Sequence, residues 1–197
     1  MPQIGWVKYN TDGASRGNPG ASAYAFCLRD ENGDLLYAKG EKIEDTTNTE
    51  AEAIAILEAA KHCKQADSHR IIIQTDSLLL QQVLMMKWEC PWSISDMIEQ
   101  VRELLEGKDV QFQHIMREGN KVADYIANLA LDKDGLAVKG YIYKAWLYST
   151  NKNEMSLPSE RRRFHLTEAL KKILKERNSH QLENTTGTKK KERELEK

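Results

Sequence analysis

The chain opens on a strand-like alternation. In WVKYNTD, Trp6 to Asp12, apolar and polar residues change places with a period of two. AYAFCLRD and DLLYAKGE follow, separated by Glu31-Asn32-Gly33-Asp34, whose Asn-Gly is a strong hairpin signal. The alanine-rich run from Thr47 to Cys63 then predicts a helix. RIIIQTD is a continuous apolar strand, as expected where a sheet is covered on both faces. Ser77 is placed to cap a following helix, LLLQQVLMM, and Pro91 breaks the chain after it. SISDMIEQVRELLEG has helical spacing and stops at Gly107; DVQFQHIM alternates again. Asn120 is placed to cap a last helix, KVADYIANLALD.

The order is three strands, a helix, a strand, two helices, a strand and a helix. Sequential hairpins followed by βαβ-type crossovers predict an α/β fold with one mixed sheet flanked by helices. In such sheets ligands gather at the carboxyl ends of the central strands. Two acids occupy strand ends, each after a threonine: Asp12 in Thr11-Asp12-Gly13 and Asp76 in Thr75-Asp76-Ser77. If their strands are parallel neighbours, the carboxylates lie side by side and repel unless a cation holds them.

Helical phase adds a third acid. With Glu52 at zero and about 100° per residue, Ile56, Ala59, Ala60 and Cys63 fall within roughly 80° of it. Glu52 thus projects from the apolar arc, while Glu50 and Glu58 face away. A carboxylate in that position is costly without a partner. Asp124 differs, because the apolar residues of its helix (Val122, Ile126, Leu129) lie on the opposite face. The helix dipole alone accounts for an acid in a first turn.

Composition narrows the class. Apolar content of 40% is ordinary for a globular protein, and no run approaches the roughly 18 residues of a membrane span. Three widely spaced cysteines, Cys27, Cys63 and Cys90, suggest a reducing intracellular compartment, nuclear or cytoplasmic. Residues 1–135 carry 14 Lys and Arg against 22 Asp and Glu, whereas residues 136–197 carry 15 against 8. An acidic body suits cations and a basic tail suits polyanions; a solvated surface with a disordered tail explains the counts equally well. A helix is predicted over 159–178, apolar at Leu166, Leu170, Ile173 and Leu174 and basic opposite, with a disordered charged tail over 179–197.

TDGASRGNPG, TTNTEAEA, QTDS and REGNKVADYIANLA, in this order, resemble the four signature blocks of the type-1 ribonuclease H family, most closely its plant retroelement-derived branch. The resemblance covers about residues 5–133 and leaves 134–178 as a basic extension. It implies a ribonuclease H-like fold with a five-stranded mixed sheet. It also implies endonucleolytic hydrolysis of the RNA strand of RNA/DNA hybrids. Four metal-binding acids are implied by position, Asp12, Glu52, Asp76 and Asp124, around two Mg2+ ions, with Mn2+ as a substitute. By the same resemblance Gly13, Ser15, Asn18, Asn48, Thr49 and Asn120 would contact the nucleic acid, Gly13 by letting the substrate backbone come close. A monomer without a small-molecule cofactor or membrane partner is expected.

Departures from the family pattern fall on substrate contacts. The histidine of the loop before the last helix is absent, and only Arg117-Glu118-Gly119 stands there. His114 shares the side of Val110 and Phe112 and reads as a packed strand residue. Thr49 replaces the second asparagine of the usual pair, and Leu78 replaces a polar residue. MMKWECPWSIS replaces the family's basic protrusion; its Trp88 and Trp92 suit either base stacking or core packing. The basic segment Arg161 to Arg177 suits either phosphate neutralisation or docking on the body. These departures keep a second reading open, a nucleic-acid-binding module of retroelement origin with weak or lost catalysis.

Overall fold

The computed structural model describes residues 4–132 and the backbone of residues 136–139. The basic helix expected at 159–178 and the tail after it lie outside the described residues. Along the chain come β1 (Val7–Gly17), β2 (Gly20–Arg29), β3 (Leu35–Thr46), α1 (Asn48–Gln65), β4 (Arg70–Thr75) and α2 (Leu78–Leu84). A 3-10 turn (Trp92–Ile94), α3 (Ser95–Leu104), β5 (Asp109–His114), α4 (Arg117–Asp132) and β6 (Leu136–Lys139) follow.

The strands form one sheet in the order β5-β4-β1-β2-β3-β6. β1, β2 and β3 pair antiparallel, whereas β4 lies parallel to both β1 and β5. The five-stranded mixed sheet expected from the sequence is therefore present. A sixth strand, β6, pairs antiparallel with β3 through Tyr37↔Lys139 to Gly40↔Leu136. Four residues after a glycine are too few to display a period, which is why the alternation did not reveal it. β6 covers what would otherwise be the open edge of β3.

Helices α1 and α4 pack on the sheet, and α3 packs on α1. Tyr9, Phe26, Ile56, Ile71, Ile73, Leu80, Ile94 and Ile98 form the centre of the core between the sheet and α1 to α3. Small residues (Ala51, Ala53, Ala55, Ala59 and Ala60, all buried) bring α1 close to the strands. Its start is fixed by a capping box. Thr47 accepts from the Glu50 amide, and Glu50 accepts from the Thr47 amide. This accounts for Glu50 without any role in chemistry.

Two expected caps turn out otherwise. Ser77 stands at the N-cap of α2 but makes no side-chain capping bond. Its amide donates to Thr75 Oγ1 at 3.0 Å. α4 begins at Arg117, so Asn120 lies inside its first turn and faces inward. A side chain with a better partner in the interior gives up the cap.

One core feature makes stability depend on pH. The Tyr9 hydroxyl lies 2.9 Å from His62 Nδ1, and the imidazole stacks on Tyr37 with ring centroids 4.6 Å apart. Burial, reinforced by Lys39, holds the His62 pKa below its ordinary 6.5. The unfolded chain therefore takes up this proton more readily than the folded protein. The contribution is whole above pH 6.5 and is lost as pH falls through it. Urea denaturation of wild type and His62→Gln from about pH 7.5 to 5.5 should show wild type losing more stability on acidification. Parallel curves would contradict this assignment.

Candidate active site

The parallel register builds the site. Asn10 of β1 stands opposite Gln74 of β4. Two residues further along each chain come Asp12 and Asp76, so both acids leave the sheet at the same edge. Glu52 reaches them from the first turns of α1. One carboxylate oxygen from each of Asp12, Glu52 and Asp76 lies within 4.8 Å of the others. Asp12 is only 7% exposed. Thus the acid found by helical phase meets the two found at strand ends.

Gly13 makes the meeting possible. A Cβ there would lie 2.2 Å from the Glu52 amide nitrogen and 2.3 Å from the Ala51 carbonyl carbon. The backbone of α1 therefore occupies the space that a side chain would need. The close approach seen at Gly13 is made by the helix that carries Glu52, and Gly13 also lines the cavity beside the acids.

Around the three acids is a shell of donors. Asn48 Nδ2 donates to Glu52 Oε1 at 3.0 Å, and Ser77 also hydrogen-bonds Glu52. Asn120 Nδ2 lies 3.2 Å from Asp76 Oδ1, and Arg117 Nε lies 3.5 Å from Asp76 Oδ2. His114 Nε2 lies 3.2 Å from the Asp76 carbonyl oxygen. His114 is exposed, which corrects its reading as a packed strand residue. It sits at the end of β5, where the sheet edge that carries Asp76 passes it.

Asp12 has no comparable compensation. Burial first, then the charges of Asp76, Asp124 and Glu52, push its carboxyl up to about 8, against a smaller lowering by the Gly13 amide. Burial likewise raises Glu52, opposed first by Ser77. The cluster resists full ionisation by itself, and a hard cation would relieve it. The donor set fits such an ion, since carboxylate oxygens converge and no lysine or arginine bonds Asp12 among the described residues.

Asp124 occupies a different place. It lies on α4, exposed, and its Oδ1 accepts from Asn128 Nδ2 at 3.0 Å. It is outside the group of oxygens within 4.8 Å, yet it lines the same cavity of about 510 Å3 and its charge raises Asp12. Arg117, Lys121 and Asn128 line that cavity too. Positions 117, 121, 124 and 128 recur at helical spacing, so one polar stripe of α4 faces the acids. In the sequence that stripe is indistinguishable from the solvated face of an amphipathic helix, so only the family resemblance pointed to Asp124. Arg117, Lys121 and Ser77 were not anticipated.

The expected nucleic-acid contacts divide. Asn18 and Asn48 are exposed, and Asn18 Oδ1 accepts from the Asn48 amide at 3.2 Å, tying the β1–β2 turn to the start of α1. Thr49 is half-buried. Ser15 is turned inward, its hydroxyl within 2.8 Å of the Gly17 carbonyl and 2.9 Å of the Thr46 carbonyl. Asn120 is 1% exposed and spends its amide on Thr11 and Asp76. The Asn120 amide is thus engaged within the fold. Trp92 is 90% exposed and Trp88 half-exposed, which removes core packing as the explanation of either.

A family model described as "Reverse transcriptase-like" matches residues 10–130. Ribonuclease HI of Halobacterium salinarum is 34% identical over 123 residues, 61% of this chain and 62% of that protein. A putative ribonuclease H protein of Arabidopsis thaliana is 31% identical over 131 residues, 66% of this chain and 21% of that protein. The chain thus spans less than two thirds of either relative. Among solved structures, RNase H1 from Halobacterium salinarum superposes with a TM-score of 0.62 at 33% identity, covering 64% of this chain and 98% of that one. LC11-RNase H1, solved in complex with an RNA/DNA hybrid, superposes with a TM-score of 0.61 at 25% identity, covering 64% and 96%.

Proposed function

The chain belongs to the reverse transcriptase-like family, with the type-1 ribonuclease H fold, and from that premise we propose that it is a divalent-metal-dependent endonuclease acting on the RNA strand of RNA/DNA hybrids. The observation that carries this reading is the convergence of Asp12, Glu52 and Asp76 at the carboxyl edge of parallel strands. The carboxylates of Asp12, Glu52, Asp76 and Asp124 would hold two Mg2+ ions, which when bound would supply an activated water and charge stabilisation for the leaving oxygen. Asp12, the most buried of these acids, would be the central ligand, and Mn2+ would serve in place of Mg2+.

The residues around the acids have separable tasks. Asn48 and Ser77 orient Glu52. Arg117 and Lys121 place positive charge on the rim of an acidic cavity, where a phosphate backbone must pass. Asn18 and Asn48, both exposed, would read the minor groove, where 2′-hydroxyls distinguish RNA from DNA. Trp88 and Trp92 offer apolar faces to bases or sugars in place of a basic protrusion.

Arg117 is 86% exposed, so its pair with Asp76 adds little to folding. Arg117→Ala should change stability by no more than about 0.5 kcal/mol. Hybrid binding should weaken regardless of sequence, and its logarithmic salt slope should fall by about one. Salt titrations of hybrid affinity, with a urea melt as control, check both. An unchanged slope would remove Arg117 from the phosphate path.

The inward turn of Ser15 and the exposed Leu78 two residues after Asp76 favour a second reading, a binding module with weak catalysis. Incubation with end-labelled RNA/DNA, RNA/RNA and DNA/DNA duplexes in Mg2+ separates the two. The proposal expects internal cuts in the RNA of the hybrid alone. Tight hybrid binding without cuts would support the module and sink the enzyme.

A further inference from the structure

Asn120 is a deeply buried polar side chain beside the acids, and the proposed chemistry does not use it. It lies in the first turn of α4, 1% exposed. Its Nδ2 donates to the Thr11 carbonyl at 2.9 Å and to Asp76 Oδ1 at 3.2 Å. Thr11 immediately precedes Asp12 in β1, Asp76 follows β4, and Asp124 lies one turn beyond Asn120 on α4. One amide group therefore touches two of the acid-bearing segments and belongs to the third.

The orientation of that amide is dictated by its surroundings. Turned over, it would set Oδ1 against the Thr11 carbonyl and the Asp76 carboxylate, three acceptors together. As placed, Oδ1 is buried without a hydrogen-bond partner among the described residues. An unsatisfied buried carbonyl is a cost that an apolar residue of similar size would avoid. The two donated bonds are what the side chain gains for it.

We propose that Asn120 is a positioning residue: by donating at once to Thr11 and to Asp76 it fixes the Asp76 carboxylate beside Asp12 and sets the rotation of α4 that presents Asp124. The proposal rests on the metal-binding reading of the acids. Without the amide, Asp76 is free to swing away from Asp12, because the two carboxylates repel and Arg117 reaches Asp76 from the exposed side. The acids would then have to be gathered again by the ion itself. Outer partners of metal-ligating side chains typically change affinity 10- to 100-fold.

The test is Mn2+ binding to the full chain without nucleic acid, by isothermal titration calorimetry well below the melting temperature. Wild type, Asn120→Ala, Asp76→Asn and the double variant form a cycle, with melting temperatures measured in parallel. Asn120→Ala should weaken Mn2+ binding about tenfold or more. In the Asp76→Asn background the same change should have less than about a twofold effect, because the carboxylate it positions is gone. A purely structural role would lower the melting temperature and leave the affinity of the folded protein within about twofold of wild type, which would overturn the proposal. Equal losses in both backgrounds would overturn it as well. If Asp76→Asn binds Mn2+ like wild type, the metal reading itself fails and the proposal falls with it. Should Asn120→Ala not fold, Asn120→Ser decides the same question, since its hydroxyl is one bond shorter and gives up its reach to Asp76.

Discussion

Asp12→Asn should abolish the proposed cleavage and make the metal-free protein more stable. The first effect follows from position. Asp12 is the most buried of the acids and the one with the other carboxylates around it. Loss of an outer partner of a metal ligand already costs 10- to 100-fold, so loss of the central ligand should exceed about 100-fold in cleavage rate. The second effect follows from linkage. The folded protein holds the Asp12 proton up to about pH 8, whereas an ordinary aspartate releases it near 3.8. Between those values the unfolded chain binds fewer protons, so the stability of the metal-free protein falls as pH rises through that window. Asparagine has the same shape and no charge to bury, and should remove the slope. Mn2+ binding to wild type should release a proton and strengthen as pH approaches 8. Urea melts in EDTA from about pH 5 to 8, and calorimetry in buffers of different ionisation enthalpy, check the two halves separately. A variant less stable than wild type at pH 8 would show that Asp12 is compensated in a way the geometry does not reveal.

Gly13→Ala should do damage out of proportion to the single carbon it adds. The new carbon would fall 2.2 Å from the Glu52 amide and 2.3 Å from the Ala51 carbonyl carbon. Neither is the end of a flexible side chain; both belong to α1, whose alanine face is already packed on the sheet. Relief requires the helix to move by about 1 Å or more, since carbon contacts settle near 3.5 Å. Overpacking of this kind typically costs 1 to 3 kcal/mol, and a backbone clash belongs at or above the top of that range, about 3 kcal/mol. The same displacement carries Glu52 away from Asp12, and misplacement by 1 Å can cost about 100-fold in rate. Urea melts and cleavage rates should therefore fall together. Retained cleavage at normal stability would show that α1 is not held as described.

The amino-acid sequence displayed those parts of the site that depend on local pattern. Thr11-Asp12 and Thr75-Asp76 end strands of clear period, and the βαβ crossover makes those strands parallel. Glu52 could be separated from Glu50 and Glu58 by helical phase, and the capping box now explains Glu50. What stayed hidden depends on approach between distant segments. Gly13 is bare because of a helix some forty residues later, Asn120 because its amide finds Thr11 across the fold, and Ser77 because Glu52 outbids the cap. His114 misled because strand alternation predicts a side but cannot say that the neighbouring layer ends before it is covered. Asp124 lay between these cases. The apolar face of α4 argued nothing for it, and the structure alone shows that the polar stripe from Arg117 to Asn128 faces the acids.

The central claim is that this cluster of acids hydrolyses RNA within a hybrid by metal-activated water. Its most direct test is the product end formed from a 5′-labelled RNA annealed to DNA, with wild-type protein in Mg2+ and in EDTA. Internal cuts are expected in Mg2+, carrying no 2′,3′-cyclic phosphate because water and not the ribose hydroxyl attacks, and no cuts in EDTA. Cuts that persist in EDTA or end in a cyclic phosphate would contradict it.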